Sequence, residues 1–426
     1  MPRVTKTTSA PGPIFTLAAV PLTLILAFSA AHAAFGDSIV ATLMVGTHVP
    51  TPGFNPSNGD IYVSNYDLGT VSVFAGDSNT LLGTIPVGAY PLTPIYNPTN
   101  ENMYVSNYGN ESVSVIFGNK LSANVHVGNN PLTPAIDPNN GQVYISDYGD
   151  ASVSVVSILS FATTVVATIP VGIAPTGAVF DPANGDIYVA NNGGGSVSVI
   201  SGDSNTVVAT INVGGSPTGA VFDPANGDIY VTNAGTGAAP GTVSVISGAT
   251  NKVVATLNVG VDPETPAFNP VNGNLYVSNY REDTVSIISG ASNKVIVTVK
   301  VGNFPATPAV DSARGDVYVS NQFIGHPNGT VSVISGASNK VVATVTVGNF
   351  PVTGAFDPLN GRVYVPNWGD WTVSVIDPLI VSQNSLQASG GSTGIDTTIF
   401  YAVTGVAAAF VVTAFVLAAN RMRRSS

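Results

Sequence analysis

Residues 177–214 read GAVFDPANGDIYVANNGGGSVSVISGDSNTVVATINVG. Apolar, β-branched runs alternate here with turn chemistry. The first run, GAVFDP (177–182), leads into Asp181-Pro182-Ala183-Asn184-Gly185, where proline presets φ and Asn-Gly supplies positive-φ positions. DIYVAN (186–191) and SVSVIS (196–201) follow. Gly202-Asp203-Ser204-Asn205 then turns the chain into TVVATINVG (206–214). The inner runs lack a clean apolar/polar alternation, which is how a strand covered on both faces reads. The stretch therefore predicts a four-stranded antiparallel meander with neighbours on each side.

The same phrase occurs eight times. Tyr62, Tyr104, Tyr144, Tyr188, Tyr230, Tyr276, Tyr318 and Tyr364 sit in near-copies of it, at intervals of 42, 40, 44, 42, 46, 42 and 46 residues. A period of this length built from four short strands predicts an all-β, eight-bladed β-propeller with one four-stranded blade per copy. The last copy is incomplete: after Val373–Ile376 it stops at Asp377-Pro378, with no fourth strand. The missing piece stands at the other end, where SIVATLMVG (38–46) matches KVVATVTVG (340–348). Strand 38–46 is therefore expected to close the last blade, since an unfilled blade would leave a long pairing edge. The propeller spans 38–377.

The phrases IYVSN (61–65), IYVTN (229–233) and LYVSN (275–279), followed by runs such as SVSVIS, resemble the YVTN β-propeller repeats of archaeal and bacterial surface proteins. The likeness covers about 38–377 and recurs in every copy. It implies the propeller and a place in the surface layer or cell envelope, and it implies no single activity. Glu101 in place of a turn glycine, Ser312 in place of a turn proline and Pro366 within YVPN depart from the pattern.

Both chain ends carry membrane signals. Arg3 and Lys6, an apolar stretch from Ile14 to Phe28 and the Ala31-His32-Ala33 exit describe a signal peptide over 1–33; an uncleaved anchor is the alternative. From Ile399 to Ala419 there are 21 residues without a charge, followed by Arg421, Arg423 and Arg424. At ~1.5 Å per residue such a helix is ~30 Å long and spans a bilayer. Its arginines place the short tail, 420–426, in the cytoplasm. The Ser/Gly-rich segment 378–398 reads as a flexible linker. The expected protein is exported, with its propeller outside and the plasma membrane reached through the C-terminal helix.

Composition narrows the function classes. Without the five basic residues of the two ends, 8 basic residues face 24 acidic ones, a balance of −16. That field disfavours nucleic acid, whose affinity comes from cations neutralising phosphates. The absence of cysteine removes disulfides, thiolate metal sites and Cys nucleophiles.

Specific function is expected where the copies differ, in the loops between the second and third strands: YDLG (66–69), YGNE (108–111), YGDA (148–151), NGGG (192–195), AGTGAAPG (234–241), YRED (280–283), QFIGHPNG (322–329) and WGDW (368–371). Inter-blade loops share that face and bring Tyr90, Phe304 and Phe350 to it. Trp368, Trp371, Tyr66, Tyr108, Tyr148, Tyr280 and Phe323 form an expected partner-binding arc around the ring, with Asp67, Glu111, Asp150, Glu282, Asp283 and Asp370 beside them. Such rings stack on sugars or anchor a protein partner at small entropic cost. The competing reading has each ring merely packing on the next inter-blade loop. Asn110 and Asn328 open N-glycosylation sequons on the same face.

The leading expectation is a membrane-anchored structural, adhesion or partner-binding module that engages a cell-surface protein or glycan, with no cofactor beyond weak Ca²⁺ binding to an acidic surface. The alternative is an exported hydrolase or lyase using His326, Asp370 and Asp67 at the channel mouth. A ligand sensor is a third reading, which the seven-residue tail disfavours.

Overall fold

The computed structural model describes residues 37–159, 162–322 and 327–378. The expected signal peptide, the linker beyond Pro378, the 399–419 helix and its tail lie outside the described residues, as do Phe323 and His326. Among the described residues there is no helix long and apolar enough to cross a membrane.

The described residues form thirty-two strands, β1–β32 in chain order, arranged as eight antiparallel sheets of four. Blade 4 contains the stretch read first: β14 (Pro175–Asp181), β15 (Asp186–Asn191), β16 (Ser196–Ser201) and β17 (Thr206–Asn212), in that spatial order. Its Asp-Pro-Ala-Asn-Gly turn is present, with Gly185 at φ 76° but Asn184 outside the left-handed region, so the glycine alone supplies the positive φ. β14 starts two residues before the expected position because Pro175 pairs with Asn191 across a bulge.

Blade 8 joins the two ends of the ring. Its order is β1 (Ser38–Met44), β32 (Thr372–Asp377), β31 (Arg362–Asn367) and β30 (Ala355–Asp357). β1 runs antiparallel to β32, from Ser38 opposite Asp377 to Met44 opposite Thr372. The expected outer strand is present but ends at Met44 rather than 46. The Gly46 N–H turns away to the Asn65 side chain of blade 1, at 2.7 Å.

Loops between second and third strands and loops between blades share one face of the ring, here the loop face. The Asp/Asn-Pro turns and the third-to-fourth strand turns form the opposite turn face. The β1–β32 register places Asp37 and Pro378 together on the turn face.

The repeated tyrosines are structural. All eight are at most 2% exposed and lie between sheets. Tyr62 packs with Val71, Val73 and Ile85 of its own blade and with Met103, Val105 and Ile116 of the next. Such burial contributes about 1.5–3 kcal/mol per ring. The phenol also reaches an asparagine in the next blade's outer turn: Tyr62 to Asn119 at 3.0 Å, Tyr144 to Asn205 at 2.8 Å, Tyr276 to Asn339 at 3.1 Å and Tyr364 to Asn79 at 3.1 Å. Tyr188 with Asn251 and Tyr230 with Asn293 repeat the bond; Tyr104 faces a blade 3 outer turn that carries no asparagine and among the described residues accepts only from Asn100 of its own blade, at 3.0 Å. Tyr318 differs. Among the described residues its hydroxyl is buried without a hydrogen-bond partner, because blade 8, made from two chain ends, has no turn between its third and fourth strands.

Candidate binding face

The loop face rests on a repeated backbone frame. Each inter-blade loop has one residue in the left-handed region: His48, Tyr90, Asn130, Ala174, Ser216, Asp262, Phe304 and Phe350, with φ between 48° and 57°. In seven copies its carbonyl accepts the N–H of the residue that follows YVxN. Tyr108 bonds to Tyr90 at 3.0 Å, Tyr148 to Asn130 at 3.3 Å, Asn192 to Ala174 at 3.0 Å, Ala234 to Ser216 at 3.0 Å, Tyr280 to Asp262 at 3.0 Å, Gln322 to Phe304 at 3.3 Å and Trp368 to Phe350 at 3.0 Å. The main chain is held alike whether the side chain is Ala or Trp. Side chains at these two columns are therefore free to vary.

Aromatic residues meet at the joint of blades 8, 1 and 2. The Trp368 ring lies 4.9 Å from His48 and 5.9 Å from Tyr66, and Tyr66 stacks on Tyr90 at 4.8 Å and 19°. Tyr90 lies over Gly109, where an added Cβ would come within 2.3 Å of the ring. His48 Nδ1 is hydrogen-bonded to the Asp67 carboxylate. Burial pushes the Tyr66 phenol up, with Tyr108, Tyr90 and Asp67 adding to the effect. A second cluster lies at blades 6 and 7: Tyr280 packs on Phe304 at 5.3 Å and donates its hydroxyl to Gln322 Oε1 at 3.0 Å.

The expected arc thus resolves into two patches. Tyr66 and Trp368 are brought together, with Tyr108 beside Tyr66. Tyr148 and Trp371 are exposed and make no ring–ring contact among the described residues. The paired tryptophans of WGDW part: Trp371 takes a left-handed φ of 59° at the outer end of its loop and is 49% exposed. Asn110 and Asn328 are exposed on this face, and Asn110 Oδ1 accepts the Ala89 N–H at 3.2 Å.

Several flanking acids tie loops together. Asp150 accepts both the backbone and side-chain N–H of Asn129, at 2.7 and 2.9 Å, bonds that hold its carboxyl below the usual range. Asp370 accepts the Asn349 N–H at 2.6 Å, and Asp283 accepts that of Phe304 at 3.1 Å. Left-handed loops turn backbone donors outward, and these carboxylates satisfy them. Of the residues considered for channel-mouth chemistry, Asp67 meets His48 while Asp370 is engaged with Asn349. Among the described residues no group of three or more His, Asp or Glu is placed to hold a metal.

One acid was not singled out by the sequence reading. Two residues after the left-handed position, the copies carry Pro50, Leu92, Leu132, Thr176, Thr218, Glu264, Ala306 and Val352. Glu264 is the lone charge in this column. Burial, with Asp262 as a lesser cause, pushes its carboxyl up to about 7. Burial and then Glu264 push up the nearby Tyr280 phenol. Comparing the uniform inter-blade loops column by column is the signal that finds it.

No family model and no curated protein matches the chain. Solved structures do resemble it. A chain of Kuenenia stuttgartiensis hydrazine synthase superposes with a TM-score of 0.52 at 17% identity, covering 78% of this chain and 96% of that one. The Dos1 propeller superposes at 0.67 and 10% identity, covering 81% and 96%. At these identities the likeness is one of fold: the protein is a β-propeller.

Proposed function

We propose that the protein is a cell-surface binding module whose loop face engages a surface protein or glycan, centred on Trp368, His48, Tyr66 and Tyr90. The carrying observation is the aromatic patch across three blades, on a main chain that needs no aromatic residue at those positions. Rings of this kind supply large, rigid contact area. The export signal over 1–33, the anchor at 399–419 and the YVTN-like repeat support an envelope location.

The test is binding of full-length Trp368→Ala and Tyr66→Ala proteins to native cell envelopes and to a glycan array. A loss of at least ~30-fold in affinity is expected, the size of a hot-spot residue. Binding equal to the parent's in both variants would overturn the proposal. A second reading, an exported hydrolase or lyase, rests on Glu264, whose titration near neutrality suits acid–base work. It requires turnover that Glu264→Gln abolishes.

A further inference from the structure

Where blades meet on the turn face, one buried position carries either a carboxamide or a carboxylic acid. This column is Asn55, Asn97, Asp137, Asp181, Asp223, Asn269, Asp311 and Asp357, each at most 3% exposed. In every copy one side-chain oxygen caps the following turn, as Asp223 Oδ1 does for the Ala225 N–H at 2.8 Å and Asp357 Oδ1 for Leu359 at 2.9 Å. In blades 2 and 6 the other atom donates to a carbonyl of the next blade. Asn97 Nδ2 donates to Gly141 O at 2.9 Å, and Asn269 Nδ2 to Gly315 O at 2.7 Å. In blade 7 the donor is borrowed. Arg314 Nη1 lies 2.5 Å from Asp311 Oδ2 and 3.4 Å from Gly361 O, bridging acid and carbonyl.

Asp223 and Asp357 have no such bridge. Among the described residues their Oδ2 atoms are buried without a hydrogen-bond partner. Each shares its seam with the equivalent carbonyl. A Cβ on Gly290 would lie 2.2 Å from Asp223 Oδ2 and 2.7 Å from Gly273 O; one on Gly76 would lie 3.3 Å from Asp357 Oδ2 and 2.2 Å from Gly59 O. The same point on Gly336, in a seam with a carboxamide, lies 3.0 Å from Asn269 Nδ2 and 2.0 Å from Gly315 O. An acceptor thus faces an acceptor where other blades supply a hydrogen. A buried pair of this kind is unfavourable unless one oxygen is protonated.

We propose that Asp223 and Asp357 are acid staples: each takes up a proton in the folded ring and donates its O–H to the Gly273 or Gly59 carbonyl, joining blade 5 to blade 6 and blade 8 to blade 1. Asp137 and Asp181 make the same replacement opposite Gly185 and Gly227. Burial pushes the Asp223 and Asp357 carboxyls up. Beside Asp223, Asp228 adds a like charge, Tyr230 is pushed up to about 12, and blade 6 presents Lys294 after Gly290. Beside Asp357, Arg362 acts in the opposite direction while pairing with Asp377 at 3.6 Å. Tyr364 is pushed up by burial, and blade 1 contributes Asp60 and Asp77 next to Gly59 and Gly76. The stabilisation is whole below the ordinary carboxylate range, about 4, and is lost as pH rises through each raised folded value.

Thermal unfolding of the full-length protein from pH 4 to 8 tests the staples. The Asp223→Asn/Asp357→Asn variant supplies the hydrogen at every pH, as blades 2 and 6 already do. It is expected to melt a few degrees above the parent at pH 8, with the gap closing towards pH 4. In each single variant the gap should likewise close as pH falls. A double variant melting at or below the parent at pH 8, or a gap independent of pH, overturns the proposal. So does a parent that added Na⁺ or Ca²⁺ raises to the variant's midpoint at pH 8 while leaving the variant unmoved, since a metal cation would then fill the seam.

Discussion

Blade 4 and blade 8 are the same sheet made in two ways. Blade 4 is one unbroken stretch, β14 to β17; blade 8 takes its outer strand from the far end of the chain. Their loop-face main chains agree, with Asn192 bonded to Ala174 and Trp368 to Phe350, both at 3.0 Å. They differ in side chains and seams. Blade 4 shows small residues and receives Tyr144 on Asn205; blade 8 shows two tryptophans and leaves Tyr318 without a partner. The aromatic patch thus gathers around the blade where the ring is joined. The frame is indifferent both to what it displays and to where the chain enters it.

The largest effect expected from this comparison follows loss of the joining strand. Deleting 38–44 strips β32 of its outer partner and removes Leu43 from the blade 8–blade 1 core. The loss should be comparable to the whole stability of a typical domain, about 5–15 kcal/mol. Denaturant titration should show no cooperative transition at the parent's midpoint. An unchanged midpoint would mean that blade 8 does not depend on β1 as blade 4 depends on β17.

A smaller effect tests the polar column in which blade 4 has Asn191 and blade 3 has Asp147. Asp147 accepts from Ser152 at 3.0 Å, Ser154 at 2.8 Å and Gly128 N at 3.1 Å, yet burial pushes its carboxyl up to about 6. Its raised folded value gives stability that is complete below about 4 and lost as pH rises through about 6. Asp147→Asn should therefore stabilise the ring by about 1–3 kcal/mol at pH 8 and by nothing measurable at pH 4. Urea midpoints at the two pH values decide it. Equal effects at both would separate this column from the others.

The smallest effect isolates the seam. Tyr188→Phe removes a hydroxyl bonded to Asn251 and should lower stability by about 1 kcal/mol. Tyr318→Phe removes one with no partner and should leave stability equal or slightly higher. Equal losses in both would show that the join at blade 8 is not a broken latch.

Strand order was legible because runs covered on both faces, Asp-Pro and Asn-Gly turns and an incomplete eighth copy all point to one architecture. The loop-face residues were legible as a set, since the copies differ there. Contacts were not. Sequence placed Trp368 and Trp371 together, but the left-handed φ at Trp371 turns it out of the patch. The acids at 150, 283 and 370 read as flanking charge, whereas their task is to receive backbone hydrogens that left-handed loops turn outward. Glu264 escaped notice because its loop is uniform in length and pattern, and only its chemistry departs.

Ser38 and Asp377 stand opposite each other as paired neighbours, so the propeller by itself is a circle cut at one point. A Gly-Asp-Ser-Asn turn like 202–205 would span that cut, and the break could then be moved to any exposed turn. Read as a circular permutation problem, the chain has eight near-equivalent places to begin. Beginning at blade 8 leaves Tyr318 as the mark of the cut.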